Sequence, residues 1–376
     1  MTRAFVWLAP TRVFFGAGML ARLPAVVDEL AGPEGRVFLV TGRKSLEASG
    51  VLARVLDHLG PGRVTRFAEV PPFPAPEVAE QARAACREAG AAVVVAIGGG
   101  SVMDVAKSAA LLATHEGRVL DFADRRAEFQ RPGLPVVAAP TTSGSSSEVT
   151  PFASLWDVAG KRSLHLASPR LFPAVALVDP ELALGMPRPL AAATGVDAFT
   201  SAFESYWSQE AGALSDALSL EVIRLFATHL ERSCVEAEPA ARGACALAAT
   251  MSGLAYSNSR PNVCHAVSSP LTLFWGVAHG QAVGITLPAF LAWNAPAIAP
   301  RLPALWRALG VDGLEAACAR LTALLARCGL ETRLGGLGVG PDDVETLVEH
   351  MRWDRVAVLP RPLGRDDARA IFRALL

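Results

Sequence analysis

Within Ala92-Val93-Val94-Val95-Ala96-Ile97-Gly98-Gly99-Gly100-Ser101-Val102-Met103-Asp104-Val105-Ala106-Lys107, an unbroken apolar run meets three glycines and a serine, and a helical spacing follows. A strand buried on both faces reads this way, because helices packed on each side of a parallel sheet leave neither face to water. The glycines let the chain turn sharply into a helix over 102–113. The bare N–H groups and dipole of such a helix start suit a pyrophosphate.

The flanking sequence repeats the pattern. Residues 36–40 form a short apolar strand, followed by a helical pattern through Leu59. A strand at 64–70 precedes a helix at 76–88, and a strand at 134–139 leads into Pro140-Thr141-Thr142-Ser143. A hairpin-like piece at 152–166 turns at Gly160, and a last strand ends in Val178-Asp179-Pro180. This alternation predicts a parallel sheet with its ligand beyond the carboxyl ends of the strands. Past Met186-Pro187 the texture becomes helical, at 189–207, 211–231, 238–256, 313–328 and 365–374. The expected architecture is an α/β N-terminal domain with a parallel Rossmann-like sheet over 1–184, then an all-α domain over 185–376.

Composition narrows the function. Half of the 376 residues are apolar and the net charge is −1, so no basic stripe for nucleic acid is expected. Six cysteines without a Cys-x-x-Cys pair read as reduced thiols, and the first residues lack a signal peptide, so a cytoplasmic protein is expected. Residues 261–300 carry no Asp, Glu, Lys or Arg. Pro270, Pro288 and Pro296 are expected to break that stretch below the roughly 20 residues a bilayer requires. Buried helices and no membrane are the expectation.

Four local features carry chemistry. Gly16-Ala17-Gly18-Met19-Leu20-Ala21 fits a dinucleotide pattern but lacks the acidic residue some 20 positions later, and reads as a turn into a helix. Thr41-Gly42-Arg43-Lys44 closes the 36–40 strand with a glycine and two cations, where an NAD enzyme usually places a carboxylate; it reads either as a 2′-phosphate site or as a solvated basic turn. His265 and His279 stand in the uncharged stretch, with Asp197 in an earlier apolar helix; spacing alone leaves open a metal set or satisfied core histidines. Only three lysines occur, Lys44, Lys107 and Lys161, where arginine is the default. Such a lysine can mark a place that wants a compact charge, although codon bias would produce the same skew.

Together these segments resemble the iron-containing (group III) alcohol dehydrogenases. The resemblance runs through Phe15 to Gly18, Gly98 to Lys107, Pro140 to Thr150, Ala193 to Ala198 and His265 to Gly280. Within the family the chain is most similar to the phosphonoacetaldehyde reductases, at Thr150 to Asp157, Phe203 to Trp207 and His265 to Thr272. The resemblance implies a nicotinamide cofactor held by Gly42, Arg43, Lys44, Gly99, Gly100, Ser101, Asp104, Thr141, Thr142 and Ser146, with NADPH favoured by Gly42. It implies a divalent metal, Fe2+ or Zn2+, on Asp197, His265 and His279. The implied substrate is a small aldehyde, phosphonoacetaldehyde, reduced to 2-hydroxyethylphosphonate in phosphonate natural-product synthesis. Lys161, Arg162, His165 and Arg260 are the cations to meet its charge, and the family suggests a homodimer.

The chain departs from the family pattern at two ligand-region positions. The fourth metal ligand, four residues after Asp197, is Ser201, and a further histidine position is Ser269. Three readings follow: a working three-ligand site, reduction without metal, or a relative that binds NADPH and has lost catalysis. A metal-assisted lyase of the dehydroquinate-synthase type shares the expected fold and is the other enzyme class.

Overall fold

The structure, a computed structural model, describes residues 4–376. The chain divides into an α/β unit, Ala9–Gly185, and a helical unit formed by Met186–Leu376 with the segment up to Leu8. That segment departs from the expected 1–184 domain for a local reason. Leu8 N donates to Asn258 Oδ1 at 2.8 Å and Asn258 Nδ2 donates back to Leu8 O at 3.1 Å, while the Phe5 ring lies against Gly212.

The α/β unit carries strands β1 (Arg12–Phe15), β2 (Val37–Gly42), β3 (Val64–Val70), β4 (Val93–Gly98), β5 (Val136–Pro140), β6 (Phe152–Asp157), β7 (Arg162–Ala167) and β8 (Val175–Val178). Its helices are α1 (Leu23–Ala31), α2 (Ser45–Ala48), α3 (Val51–Leu59), α4 (Pro76–Glu88), α5 (Gly100–Leu112) and α6 (Val119–Ala123). Six strands form one parallel sheet in the order β1-β8-β5-β4-β2-β3, and β6 and β7 pair as an antiparallel hairpin. Both faces are covered. Phe38, Val40, Val94, Ala96 and Ala138 pack on one side with α5 and α4, while Val37, Leu39, Val93, Val95, Ile97 and Val137 pack on the other with α1 and α3.

The winding reverses between β2 and β4, since β3 lies outside β2 and the later strands lie beyond β4. Such a switch point opens a crevice at the carboxyl ends of the strands. Thr41 is level with Ile97, and Gly98 with Pro140, so Gly42, the glycine turn and the loop after β5 emerge side by side.

The helical unit comprises α7 (Arg188–Trp207), α8 (Ala213–Val235), α9 (Pro239–Tyr256), α10 (Val263–Trp275), α11 (His279–Gly284), α12 (Leu287–Asn294), α13 (Leu302–Leu309), α14 (Leu314–Cys328), α15 (Val344–His350), α16 (Trp353–Val356) and α17 (Arg365–Leu375). The uncharged stretch becomes α10, α11 and α12, largely buried; residues 279–309 are together long and apolar enough to cross a membrane, but they fold as a chain of short helical pieces. Pro270 does not break the helix as expected; it lies inside α10. Proline at that position has no N–H for the carbonyl four residues earlier. The Ala266 carbonyl accepts from Arg352 N instead, at 3.1 Å, which docks the α16 segment beside His265.

Candidate active site

Asp197, His265 and His279 arrive from three helices, α7, α10 and α11, and their ligand atoms all lie within 4.8 Å of one another. The backbones are brought close by glycine: a Cβ on Gly280 would overlap the Ala193 carbonyl oxygen, and one on Gly284 would overlap Val196. The Asp197 and His265 side chains retain 12% and 9% of their exposure, so the donor set is walled in without being sealed. One carboxylate and two imidazoles are a donor set suited to Zn2+ or Fe2+. The residues present therefore fit a divalent metal, with a fourth position left for water or substrate.

Behind His265 stands Glu204, which the sequence reading missed. It is fully buried two turns beyond Asp197 on α7. One oxygen accepts from Cys264 N at 2.5 Å and His265 N at 3.4 Å; the other accepts from Asn262 N at 2.9 Å and pairs with His265 Nδ1 at 2.5 Å. Donation from Nδ1–H to Glu204 leaves Nε2 facing Asp197 at 3.2 Å and available to a metal. The missed signal was the i, i+4, i+7 row of Asp197, Ser201 and Glu204 along one helix face. Asn262 completes the frame: its side chain accepts from Val263 N and Trp207 Nε1 and donates to Glu204 O.

The two histidines are driven apart. Burial lowers both, but for His265 the Glu204 charge and the bonds to Asp197 and Glu204 prevail and raise it to about 9. His279 stays under the control of burial, only partly opposed by Asp197, and falls to about 4. Burial works to raise the Asp197 carboxyl, yet its bond to His265 and the charge of His279 hold it below the usual carboxylate range. Ser201 and Ser269 are buried at 2% and 6% exposure. Restoring a donor by Ser201→His is expected to tighten metal binding at least about tenfold, read by chelator competition. Unchanged affinity would show that position 201 does not reach the donor set.

In the α/β unit the glycine turn and the next loop meet as expected. Thr141 N donates to Gly98 O at 3.0 Å, and no side chain caps α5. A Cβ on Gly100 would come within 2.6 Å of Ser145 Oγ, and one on Gly99 within 3.4 Å of Thr142. This bare-backbone cradle at a helix start fits the pyrophosphate of a nicotinamide nucleotide, with Ser101, Thr141 and Thr142 half-buried at its mouth. At the Gly42 turn, Lys44 is exposed and Arg43 forms a loose exposed pair with Glu69 at 3.3 Å. A third cation, Arg66 on β3, bonds Thr41 Oγ1 at 3.0 Å, reaches Gly42 O at 3.5 Å and pairs with Glu47 at 2.5 Å.

The other expected site residues take varied positions. Asp104 accepts from Ser147 Oγ at 2.5 Å and Ser154 N at 2.9 Å and so braces a loop. Ser146 is buried, in a left-handed conformation, donating to Gly144 O at 3.0 Å. Arg260 does not face the donor set: it stands in a left-handed turn, its side chain 69% exposed and paired with Glu210 at 3.2 Å. Lys161, Arg162 and His165 belong to the β6–β7 hairpin of the α/β unit. Lys161 is exposed in its turn, Arg162 pairs with Asp124 at 2.6 Å and His165 Nδ1 bonds Ser154 Oγ at 3.1 Å.

The fold and donor set define a class, an α/β unit with a nucleotide cradle carried on one chain with a helical unit bearing a carboxylate–imidazole metal set. Residues 10–180 match the family "Iron-containing alcohol dehydrogenase", and residues 191–376 match "Fe-containing alcohol dehydrogenase family, C-terminal". The chain belongs to the iron-containing alcohol dehydrogenase family. It is 38% identical to a phosphonoacetaldehyde reductase of Streptomyces viridochromogenes, over 95% of this chain and 96% of that protein. It is 30% identical to a 1,3-propanediol dehydrogenase of Klebsiella pneumoniae, over 99% and 98%. Among solved structures, the sulfoacetaldehyde reductase of Bifidobacterium kashiwanohense in complex with NAD+ superposes with a TM-score of 0.93 at 28% identity, covering 99% of each chain. The protein is an oxidoreductase acting on CH–OH groups, an alcohol dehydrogenase or aldehyde reductase, and its family implies a divalent metal and a nicotinamide cofactor.

Proposed function

We propose that the chain reduces a small aldehyde bearing an anionic head group, with NADPH as reductant, and that the aldehyde is phosphonoacetaldehyde. The observation that carries the reading is a half-buried cation, Arg355, held in the same unit as the metal donors. The Arg352 N–Ala266 O bond seats its segment one residue past His265, and Arg355 lies near enough to Glu204, His279 and Tyr256 for their charges to act on one another. Its neighbour Arg352 is taken by Asp354, at 2.9 and 2.8 Å. The relatives that reduce phosphonoacetaldehyde and sulfoacetaldehyde support an anionic head group.

Within this reading Asp197, His265 and His279 hold the ion, Glu204 fixes the His265 tautomer, and Arg355 orients the substrate by its charge. When bound, the ion supplies a Lewis acid to the carbonyl oxygen and the reduced nicotinamide supplies hydride. The proton that completes the alcohol would come from solvent. A homodimer through the free edge of β1, which exposes Val13 and Phe15, and a reducing compartment, which suits six free cysteines, belong to the same proposal.

The test is NADPH oxidation by metal-analysed protein with phosphonoacetaldehyde beside lactaldehyde and butanal. A clear preference for the phosphonate is expected; equal kcat/KM values would sink the substrate assignment. A charged contact contributes roughly 1.5–3 kcal/mol, about ten- to a hundredfold. Arg355→Met is therefore expected to lower the phosphonate-to-lactaldehyde ratio of kcat/KM by at least about tenfold.

Cofactor choice has its own test. Gly42 has room for a side chain, with Ser45 Oγ 3.6 Å from where a Cβ would stand, so Gly42→Asp changes charge without crowding. Its carboxylate would repel a 2′-phosphate, and the Kd ratio is expected to move toward NADH by about tenfold or more. A variant that still favours NADPH as strongly would place the phosphate elsewhere.

A further inference from the structure

We infer that the buried Asp104–Lys107 pair on α5 is the positioning element of the cofactor loop, clamping its far end so that Thr142 and Ser145 stay pressed on Gly99 and Gly100. The inference rests on the reading of that cradle as the nicotinamide-nucleotide site. Lys107 has no exposed side-chain surface, and the three N–H groups of its ammonium are shared among Ser147 O at 3.0 Å, Thr150 O at 3.2 Å, Thr150 Oγ1 at 3.4 Å and Phe152 O, with Asp104 at 3.5 Å. Asp104 holds the same loop from its other side through Ser147 Oγ and Ser154 N. Between them the two side chains grip residues 147, 150, 152 and 154, which follow directly on the segment that touches the glycine turn.

The choice of residue fits the task. Four loop oxygens and a carboxylate converge on one atom, and a tetrahedral ammonium can donate in several directions from one point, whereas a planar guanidinium fork cannot. In a chain that uses arginine almost everywhere, lysine here has a geometric reason. Burial raises the Asp104 carboxyl and lowers the Lys107 ammonium, each resisted by the attraction of the other. A pair that only filled space would be replaceable by apolar side chains of similar size, often at little cost in stability. A clamp would not be, because Ser147 Oγ and Ser154 N would lose their acceptor and four loop oxygens their donor.

The experiment uses the full chain carrying Asp104→Leu with Lys107→Met, beside Lys107→Arg and Ser147→Ala. NADPH affinity is read by fluorescence titration, metal affinity by chelator competition, and loop order by hydrogen exchange over 147–154. The double variant is expected to bind NADPH at least tenfold more weakly and to exchange the Ser154 amide faster, while metal affinity stays within twofold. Lys107→Arg is expected not to restore NADPH affinity. A double variant that folds and binds NADPH within twofold of the unmodified chain overturns the inference. Should the double variant not fold, Ser147→Ala decides: a rise in Kd of about threefold with faster exchange supports the clamp, and unchanged values overturn it. If the unmodified chain binds no nicotinamide nucleotide, the cofactor reading fails first and the inference falls with it.

Discussion

Glu204→Gln is expected to lower metal affinity by about ten- to a hundredfold, the usual consequence of removing the partner that orients a ligating histidine. Both Glu204 oxygens are committed to donors, with Cys264 N and His265 N on one and Asn262 N and His265 Nδ1 on the other. A glutamine must turn its NH2 toward one of these sets, so a donor faces a donor at a side chain with no exposed surface. If the NH2 replaces the oxygen beside Nδ1, the imidazole must accept there and carry its proton on Nε2, which removes it from the metal set. If it replaces the other oxygen, two N–H groups at the start of α10 lose their acceptor. Either way a stability loss of about 3 kcal/mol or more is expected in the metal-free protein, since a fully buried carboxylate is removed from the donors arranged around it. Chelator competition and thermal melting check the two effects separately. A variant with unchanged metal affinity would show that Glu204 serves packing alone.

That Glu204 escaped the sequence reading while Asp197, His265 and His279 did not has a physical explanation. The sheet, the glycine turn and the helical half are local patterns: an apolar run of strand length, glycines at a helix start and a change of period near residue 186. The three metal donors stood out because polar groups in uncharged surroundings are rare. Glu204 stands between aromatic residues near the end of α7, and its partners come from residues 262–265, some 60 positions away in sequence. Arg66 escaped for a related reason, because only the pairing of β2 with β3 brings it level with Leu39 and into reach of the Gly42 turn. Arg260 misled in the opposite way. It lies five residues before His265, but the intervening turn leaves it outward against Glu210. Arg355, ninety residues after His265, reaches the neighbourhood because Pro270 leaves the Ala266 carbonyl to Arg352. Proline in a helix reads in sequence as a break, and here it serves as a docking point.

Gly280→Ala is expected to destabilise the helical unit by about 3 kcal/mol and to cost the metal site most of its affinity. Position 280 follows His279 directly, at the start of α11, and the atom a Cβ would overlap is the backbone carbonyl oxygen of Ala193 on α7. Overpacking a rigid site costs roughly 1–3 kcal/mol, occasionally more, and the upper end applies when the obstacle is backbone with no rotamer to change. The crossing cannot relax by sliding, because Gly284 one turn later meets Val196 in the same way. The strain must therefore separate α11 from α7, and these are the helices that carry His279 and Asp197. A shift of about 1 Å takes one donor out of the roughly 2.0–2.2 Å shell while leaving His265 and Glu204 in place. The variant should then retain the His265–Glu204 bond and nucleotide binding in the α/β unit, yet hold metal only weakly. Equal melting temperatures with equal metal content would show that the helices can part at no cost, contrary to the close approach these glycines permit.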